Sequence, residues 1–185
     1  MYLFWDNSNI HYSGLNEVFP KKEPGKQREL YRTYFKNLFE LARRGRTVEG
    51  AYAAGSVPPP SDDLWAYLES LGIDMTLLDK TADGKEQDSV DMSLQTNMFR
   101  VAFDNDPGTM VLLTGDGSGS TLGKGFLADL KRIHNHGWNI EVYAWESTCN
   151  RYLKEFAEQN GIFVPLEKYY YSITFLKGER IARPL

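Results

Sequence analysis

Short apolar runs alternate along this chain with longer amphipathic stretches, and the two periods recur in order from end to end. Tyr2-Leu3-Phe4-Trp5 and Met110-Val111-Leu112-Leu113 are continuous apolar runs, the pattern of strands buried on both faces of a parallel sheet. Residues 47–54, 73–78, 139–144 and 162–166 read as further strands, with Ile140, Val142 and Ala144 alternating along the fifth of these six. Between them, apolar positions at helical spacing predict helices. Leu30, Tyr34, Leu38 and Leu41 mark one over 27–44, with Tyr31 and Phe35 widening its stripe. Val90, Leu94, Met98 and Val101 mark one over 89–103, and Leu153, Phe156 and Ala157 one over 150–159. Two more are expected over 62–71, ended by Gly72, and over 122–134, stopping near Gly137. Pro58-Pro59-Pro60 breaks the chain after the second strand.

Regular alternation of strand and helix predicts an α/β fold. Right-handed crossovers place helices on both faces of a mainly parallel central sheet, giving a three-layer sandwich with Rossmann-like topology. The 185 residues are enough for one sizeable core, and no linker divides them, so 1–176 reads as a single domain. The run from Lys168 to Leu176 has strand composition and is expected to cap a sheet edge, with 177–185 a mobile tail.

Composition narrows the class. One cysteine, Cys149, excludes an intramolecular disulfide, and neither a leader nor an apolar span for a membrane is present, so a cytoplasmic protein is expected. The net charge of −4 hides a polarity. Residues 21–46 hold nine Lys or Arg against three Glu, leaving the remainder strongly acidic. Such a molecule can set a basic face against a phosphate backbone while carboxylates elsewhere hold a cation. A solvated helix face is the alternative reading of the basic run.

Three acidic stretches carry the candidate chemistry: Asp6 in Trp5-Asp6-Asn7-Ser8-Asn9, Asp88 and Asp91 in Gln87-Asp88-Ser89-Val90-Asp91, and Asp116 in Thr114-Gly115-Asp116-Gly117. Asp6 and Asp116 each close an apolar strand, the edge at which open parallel sheets bind ligands. Carboxylates gathered there repel unless one is protonated or a cation sits among them, and oxygen ligands of this kind suit Mg²⁺ or Mn²⁺. Singly, each has a structural reading: Asp88 as a helix cap, Asp91 as a partner of the helix dipole, Asp6 and Asp116 as turn formers.

Other motifs carry less. The Gly-rich stretch from Gly117 to Gly125 departs from a phosphate loop at Ser118 and at Gly125, although Lys124 is a candidate for a phosphate contact. His134 and His136 stand at a helix end with no zinc-spaced partner, and Cys149 has no evident base. Tyr169, Tyr170 and Tyr171 are candidates for stacking on bases, with at least one expected in the core.

Taken together, the strand followed by Asp6-x-x-Asn9, the helix start Val90-Asp91-Met92-Ser93-Leu94 and the strand ending Thr114-Gly115-Asp116 resemble the NYN domains, the PIN-like nucleases. The likeness runs in the right order from about 2 to 166. It implies a PIN-like sheet fold and a metal-dependent endoribonuclease, with Asp6, Asp91 and Asp116 binding Mg²⁺ or Mn²⁺ and Asn9 supporting them. Thr114 and Asp88 then stand in supporting positions, and Arg28, Arg32, Lys36 and Lys124 are candidates to hold the RNA backbone. Many relatives carry further acids where this chain has Ser118 and Asn97. A module of the same fold that binds RNA or a protein without cutting is the alternative, and a phosphatase ranks behind it because Asp6-Asn7-Ser8 lacks the second acid. A homo-oligomer or a protein partner is left open.

Overall fold

The computed structural model describes residues 1–54, 70, 75–78, 86–118 and 123–185, and for 75–78 and 86–91 the backbone alone. The expected helix over 62–71 and the Pro58–Pro60 break lie outside the described residues, apart from Ser70.

Six strands form a parallel sheet: β1 (Tyr2–Asp6), β3 (Gly50–Ala54), β4 (Met75–Leu78), β5 (Thr109–Leu113), β6 (Asn139–Ala144) and β7 (Gly161–Pro165). Their spatial order is β4-β3-β1-β5-β6-β7. The chain builds leftward from β1 and then rightward from β5, so the order reverses between these two neighbours. A doubly wound sheet opens its ligand crevice at such a reversal, beyond the carboxyl ends of the strands. Register places Trp5 beside Leu113 on one side and Ala53 on the other.

The buried runs fill two cores, one on each face. Leu3 and Trp5 of β1 with Val111 and Leu113 of β5 face one core, while Phe4, Met110 and Leu112 face the other. This is the period of two expected of strands covered on both sides. Helix α4 (Glu86–Asp104) supplies Leu94, Met98 and Val101 to the second core, joined by Leu130 of α5 (Gly125–Asn135) and Leu153 of α6 (Arg151–Asn160). Helix α6 is capped by Asn150, whose side chain accepts from the backbone N–H groups of Tyr152 and Leu153. The three-layer α/β architecture is as the sequence predicts.

The first core is closed by elements the pattern did not give. A helical run follows β1 at once: α1 (Asn7–Ser13), a π turn (Gly14–Val18) and α2 (Phe19–Lys22). Ile10, Val18 and Phe19 bury its inner side. Gly14 lets the run lie close to its neighbours, since a Cβ there would stand 2.3 Å from the Tyr31 hydroxyl and 3.0 Å from the Trp145 ring.

The helix expected over 27–44 is confined to α3 (Phe35–Arg43). Tyr31–Thr33 is instead strand β2, paired antiparallel with β8 (Thr174–Leu176). Tyr31 and Thr33 are buried and Arg32 between them is exposed, a two-residue alternation embedded in what also reads as a helical stripe. The tyrosine run before β8 likewise forms a short helix, α7 (Tyr170–Ile173), and β8 joins β2 in a separate two-stranded sheet rather than capping the main one.

Residues 177–185, expected to be a mobile tail, fold back here. Arg180 pairs with Glu23, the Arg183 N–H donates to the Tyr171 carbonyl, and the Ser172 hydroxyl donates to the Pro184 carbonyl. Arg183 also sets its guanidinium 4.6 Å from the Tyr171 ring centroid, a cation–π contact that helps hold the tail.

Ion pairing redraws the basic run over 21–46. Arg46 makes two hydrogen bonds to the buried Glu141 carboxylate, at 2.6 and 2.8 Å, while Lys26 pairs with Glu179 and Arg43 with Glu40. These three cations serve the fold. Among the described residues no helix is long and apolar enough to cross a membrane.

Candidate active site

Asp6 ends β1 and is also the N-cap of α1, with 5% of its surface exposed. Its Oδ1 accepts from the Asn9 backbone N–H at 3.0 Å, which is why an Asp stands where the strand turns into a helix. Its Oδ2 accepts from the Thr114 hydroxyl at 3.0 Å. Thr114 directly follows β5 and is fully buried.

The loop after β5 is held from both sides. The Gly115 N–H donates to Asn9 Oδ1 at 2.8 Å, and the Gly115 carbonyl accepts from the Asn150 N–H at 2.8 Å. Gly117 lies against the Asn150 side chain so closely that a Cβ would stand 2.6 Å from its Cγ. The Trp145 indole N–H donates to the Ile10 carbonyl at 2.7 Å and fastens α1 to the end of β6. The carboxyl ends of β1, β5 and β6 are thereby locked into one frame.

Asp116 is half-buried in that frame. Its backbone N–H donates to Thr114 Oγ1 at 3.2 Å, so one hydroxyl ties the Asp6 carboxylate to the backbone that carries Asp116. The Asp116 carboxylate accepts from the Ser118 N–H at 2.9 Å and from the Ser118 hydroxyl at 3.0 Å. Ser118 occupies the place where the resemblance would have a second acid, and it forms a turn with Asp116 instead.

Asp88 and Asp91 lie on α4, which begins at Glu86. Asp88 is therefore inside the first turn rather than its cap, and Asp91 is in the second turn; their side chains are outside the described residues. Asn97 donates to the Ser93 carbonyl one turn back. Among the described residues no three His, Cys, Asp or Glu side chains gather as a metal cluster.

The structure separates the candidate cations. Arg28 stands in a 3-10 turn (Arg28–Leu30) and donates to the Asn16 side chain, and Arg32 lies close enough to His11 to act on its titration. Both flank the helical run that leaves Asp6. Lys36 is in the first turn of α3, next to Phe35, whose ring stacks on Trp5. Lys124 is exposed at the start of α5, joined to the Asp116 turn through residues outside those described.

The rival motifs are occupied structurally. His134 Nδ1 lies 3.1 Å from the Trp138 carbonyl, and His136 sets its ring against Phe103. Burial pushes the Cys149 thiol up to about 12, which leaves no thiolate nucleophile at neutral pH. Tyr170 is buried and Tyr171 carries Arg180 and Arg183 over its ring, so neither forms an open stacking platform.

The NYN domain profile matches residues 1–162, which spans β1, β5 and the whole frame around Asp6 and Asp116. The chain belongs to the NYN domain family. A protein of unknown function from Vibrio parahaemolyticus has a similar structure, with a TM-score of 0.58 at 18% identity, the match covering 89% of this chain and 91% of that one. At that identity the likeness bears on the fold alone. No protein with a curated description matches. This NYN domain thus has the PIN-like nuclease fold, with its frame of acid, amide and hydroxyl groups at the reversal of strand order.

Sequence reasoning missed four polar residues beside the frame, Ser8, Tyr12, Asn16 and Glu17, because 7–22 was not read as helical. Leu15, Val18 and Phe19, at i, i+3 and i+4, carried the helical spacing that could have found them.

Proposed function

We propose that this NYN domain is an endoribonuclease dependent on Mg²⁺ or Mn²⁺, with Asp6 and Asp116 at its centre and Asp91 contributing from α4. One observation carries the reading. Asp6, Thr114 and the Asp116 backbone form a hydrogen-bonded chain at the carboxyl ends of β1 and β5, where the strand order reverses.

The donor set suits a hard cation. Asp6, Asn9, Thr114, Asp116 and Ser8 offer oxygen, with no thiol or imidazole among them, and the buried Ser8 Oγ has no hydrogen-bond partner among the described residues. A carboxylate has about four lone-pair sites, so Asp116 can serve Ser118 and a cation together. When bound, such an ion polarises a phosphodiester and makes hydroxide available near neutral pH.

The residues divide the remaining work. Asp6, gripped by the Asn9 N–H and the Thr114 hydroxyl, presents its carboxylate in one orientation. Asn9 fixes the Gly115 backbone and with it the direction of the Asp116 turn. Arg28 and Arg32 attract the RNA backbone, and that attraction weakens as salt rises.

A second reading, an RNA-binding module that does not cut, draws on Ser118, which donates one hydrogen bond to each Asp116 oxygen. Labelled single-stranded and structured RNAs incubated with Mn²⁺, Mg²⁺ or EDTA separate the two. Cleavage that needs metal and is lost in Asp6→Asn supports the nuclease. RNA bound but uncut by the wild-type protein in either metal supports the binding module.

A further inference from the structure

Next to Asp6 the helical run opens a pocket of about 300 Å³ lined by Ser8, Asn9, Tyr12, Ser13, Asn16 and Glu17. That volume is at the small end for ligand sites, room for one planar ring system rather than a duplex. Asn9 belongs to the acidic frame and to the pocket wall, so the pocket adjoins the frame that holds Asp6 and Asp116.

Several features suit the pocket to a nucleobase. Tyr12 is 47% exposed, and exposed aromatic side chains are the usual stacking platforms for single-stranded nucleic acid. Ser8 Oγ is buried with no hydrogen-bond partner among the described residues, although a hydroxyl both donates and accepts. Asn16 and Glu17 come from the π turn, a widening of the helix that is frequent at functional sites.

Charge selects the part of the nucleotide. Glu17 in the pocket wall repels a phosphate, whereas Arg28, bonded to Asn16, provides positive charge at its flank. A base therefore enters and the backbone passes outside. A carboxylate accepts two parallel N–H donors, and guanine is the base whose pairing edge presents two such donors side by side.

We propose that this pocket is a base subsite of the nuclease, holding an unpaired guanine that flanks the phosphodiester at Asp6 and Asp116, with Tyr12 stacking on the ring and Glu17 accepting from its N–H edge. The placement next to a scissile phosphodiester rests on the nuclease reading; the base site itself is measured without cleavage.

The test is fluorescence anisotropy in EDTA, using labelled single-stranded uridine hexamers with guanine, uracil or an abasic residue at one central position. The wild-type protein is expected to bind the guanine strand at least about fivefold more tightly than the abasic one. Tyr12→Ala removes that difference, Tyr12→Phe retains it, and Glu17→Gln loses the preference for guanine over uracil. Equal binding of the three strands by the wild-type protein, an undiminished difference in Tyr12→Ala, or no RNA binding overturns the subsite. Asp6→Asn, run in parallel, keeps the base preference while losing cleavage in Mn²⁺. If instead it cuts like the wild type, the nuclease reading fails while the subsite stands on its own binding data.

Discussion

The hydroxyl of Thr114 donates to Asp6 Oδ2 at 3.0 Å, joining residues 108 positions apart in the chain. The same oxygen accepts from the Asp116 N–H, so a neutral side chain sets the relation between two acids. Thr114→Val keeps the shape and removes the hydroxyl. It is expected to lower metal affinity or activity about tenfold or more, the usual effect of losing an orienting partner. Loss of a buried hydrogen bond also costs about 1–2 kcal/mol of stability. Thr114→Ser restores the hydroxyl and recovers activity, a rescue that metal titration and cleavage rates both read.

Gly117 faces the cap of α6. A Cβ at 117 would stand 2.6 Å from Asn150 Cγ and 2.8 Å from its Cβ, so Gly117→Ala must push aside the side chain that caps the helix. A loss of about 1–2 kcal/mol in chemical denaturation is expected, the scale of a lost N-cap. In an Asn150→Gly background the obstacle is gone, and the same substitution is expected to cost markedly less.

His11 links stability to pH near the site. Burial first, and the Arg32 guanidinium second, hold its imidazole below the ordinary value. The unfolded chain therefore binds the proton more readily than the folded one, and stability rises with pH across that interval. The protein is expected to lose stability as pH falls below about 6.5, the ordinary histidine value. Thermal unfolding of His11→Gln between pH 7 and 5 should show a shallower pH dependence than the wild type; an unchanged slope would assign the effect to other groups.

Cys149 is pressed against the frame: its backbone lies 3.2 Å from where a Gly115 Cβ would be. With the thiol pushed up to about 12 by burial, alkylation at pH 8 is expected to be far slower than for free cysteine in the same buffer. Labelling followed by mass spectrometry checks this, with the unfolded protein as the fast reference.

Much of this arrangement was legible in the chain because it rests on local chemistry. Asp6 and Asp116 follow continuous apolar runs, and strands buried on both faces have that pattern whatever surrounds them. The helix bearing Leu94 and Met98 and the strand 139–144 were equally plain. What escaped depended on partners distant in sequence. Tyr31–Thr33 is a strand because Thr174–Leu176 lies beside it, and no local period distinguishes that from the first turn of a helix. The helical run after Asp6 was obscured by Asn and Ser residues and by Pro20, and its apolar side packs on Tyr31 and Trp145 from elsewhere. The tail was expected to be mobile for want of core residues, whereas pairing of Arg180 with Glu23 joins it to a segment far back in the chain.

The nuclease reading of this NYN domain turns on whether Asp6 and Asp116 share a divalent cation. The direct measurement is a Mn²⁺ titration of the purified protein by calorimetry, repeated with Asp6→Asn, Asp116→Asn and Glu17→Gln. Saturable binding by the wild-type protein and by Glu17→Gln, lost or weakened at least about tenfold in each aspartate variant, is the expected result. Binding of equal strength in both aspartate variants, or none by the wild-type protein, would contradict it.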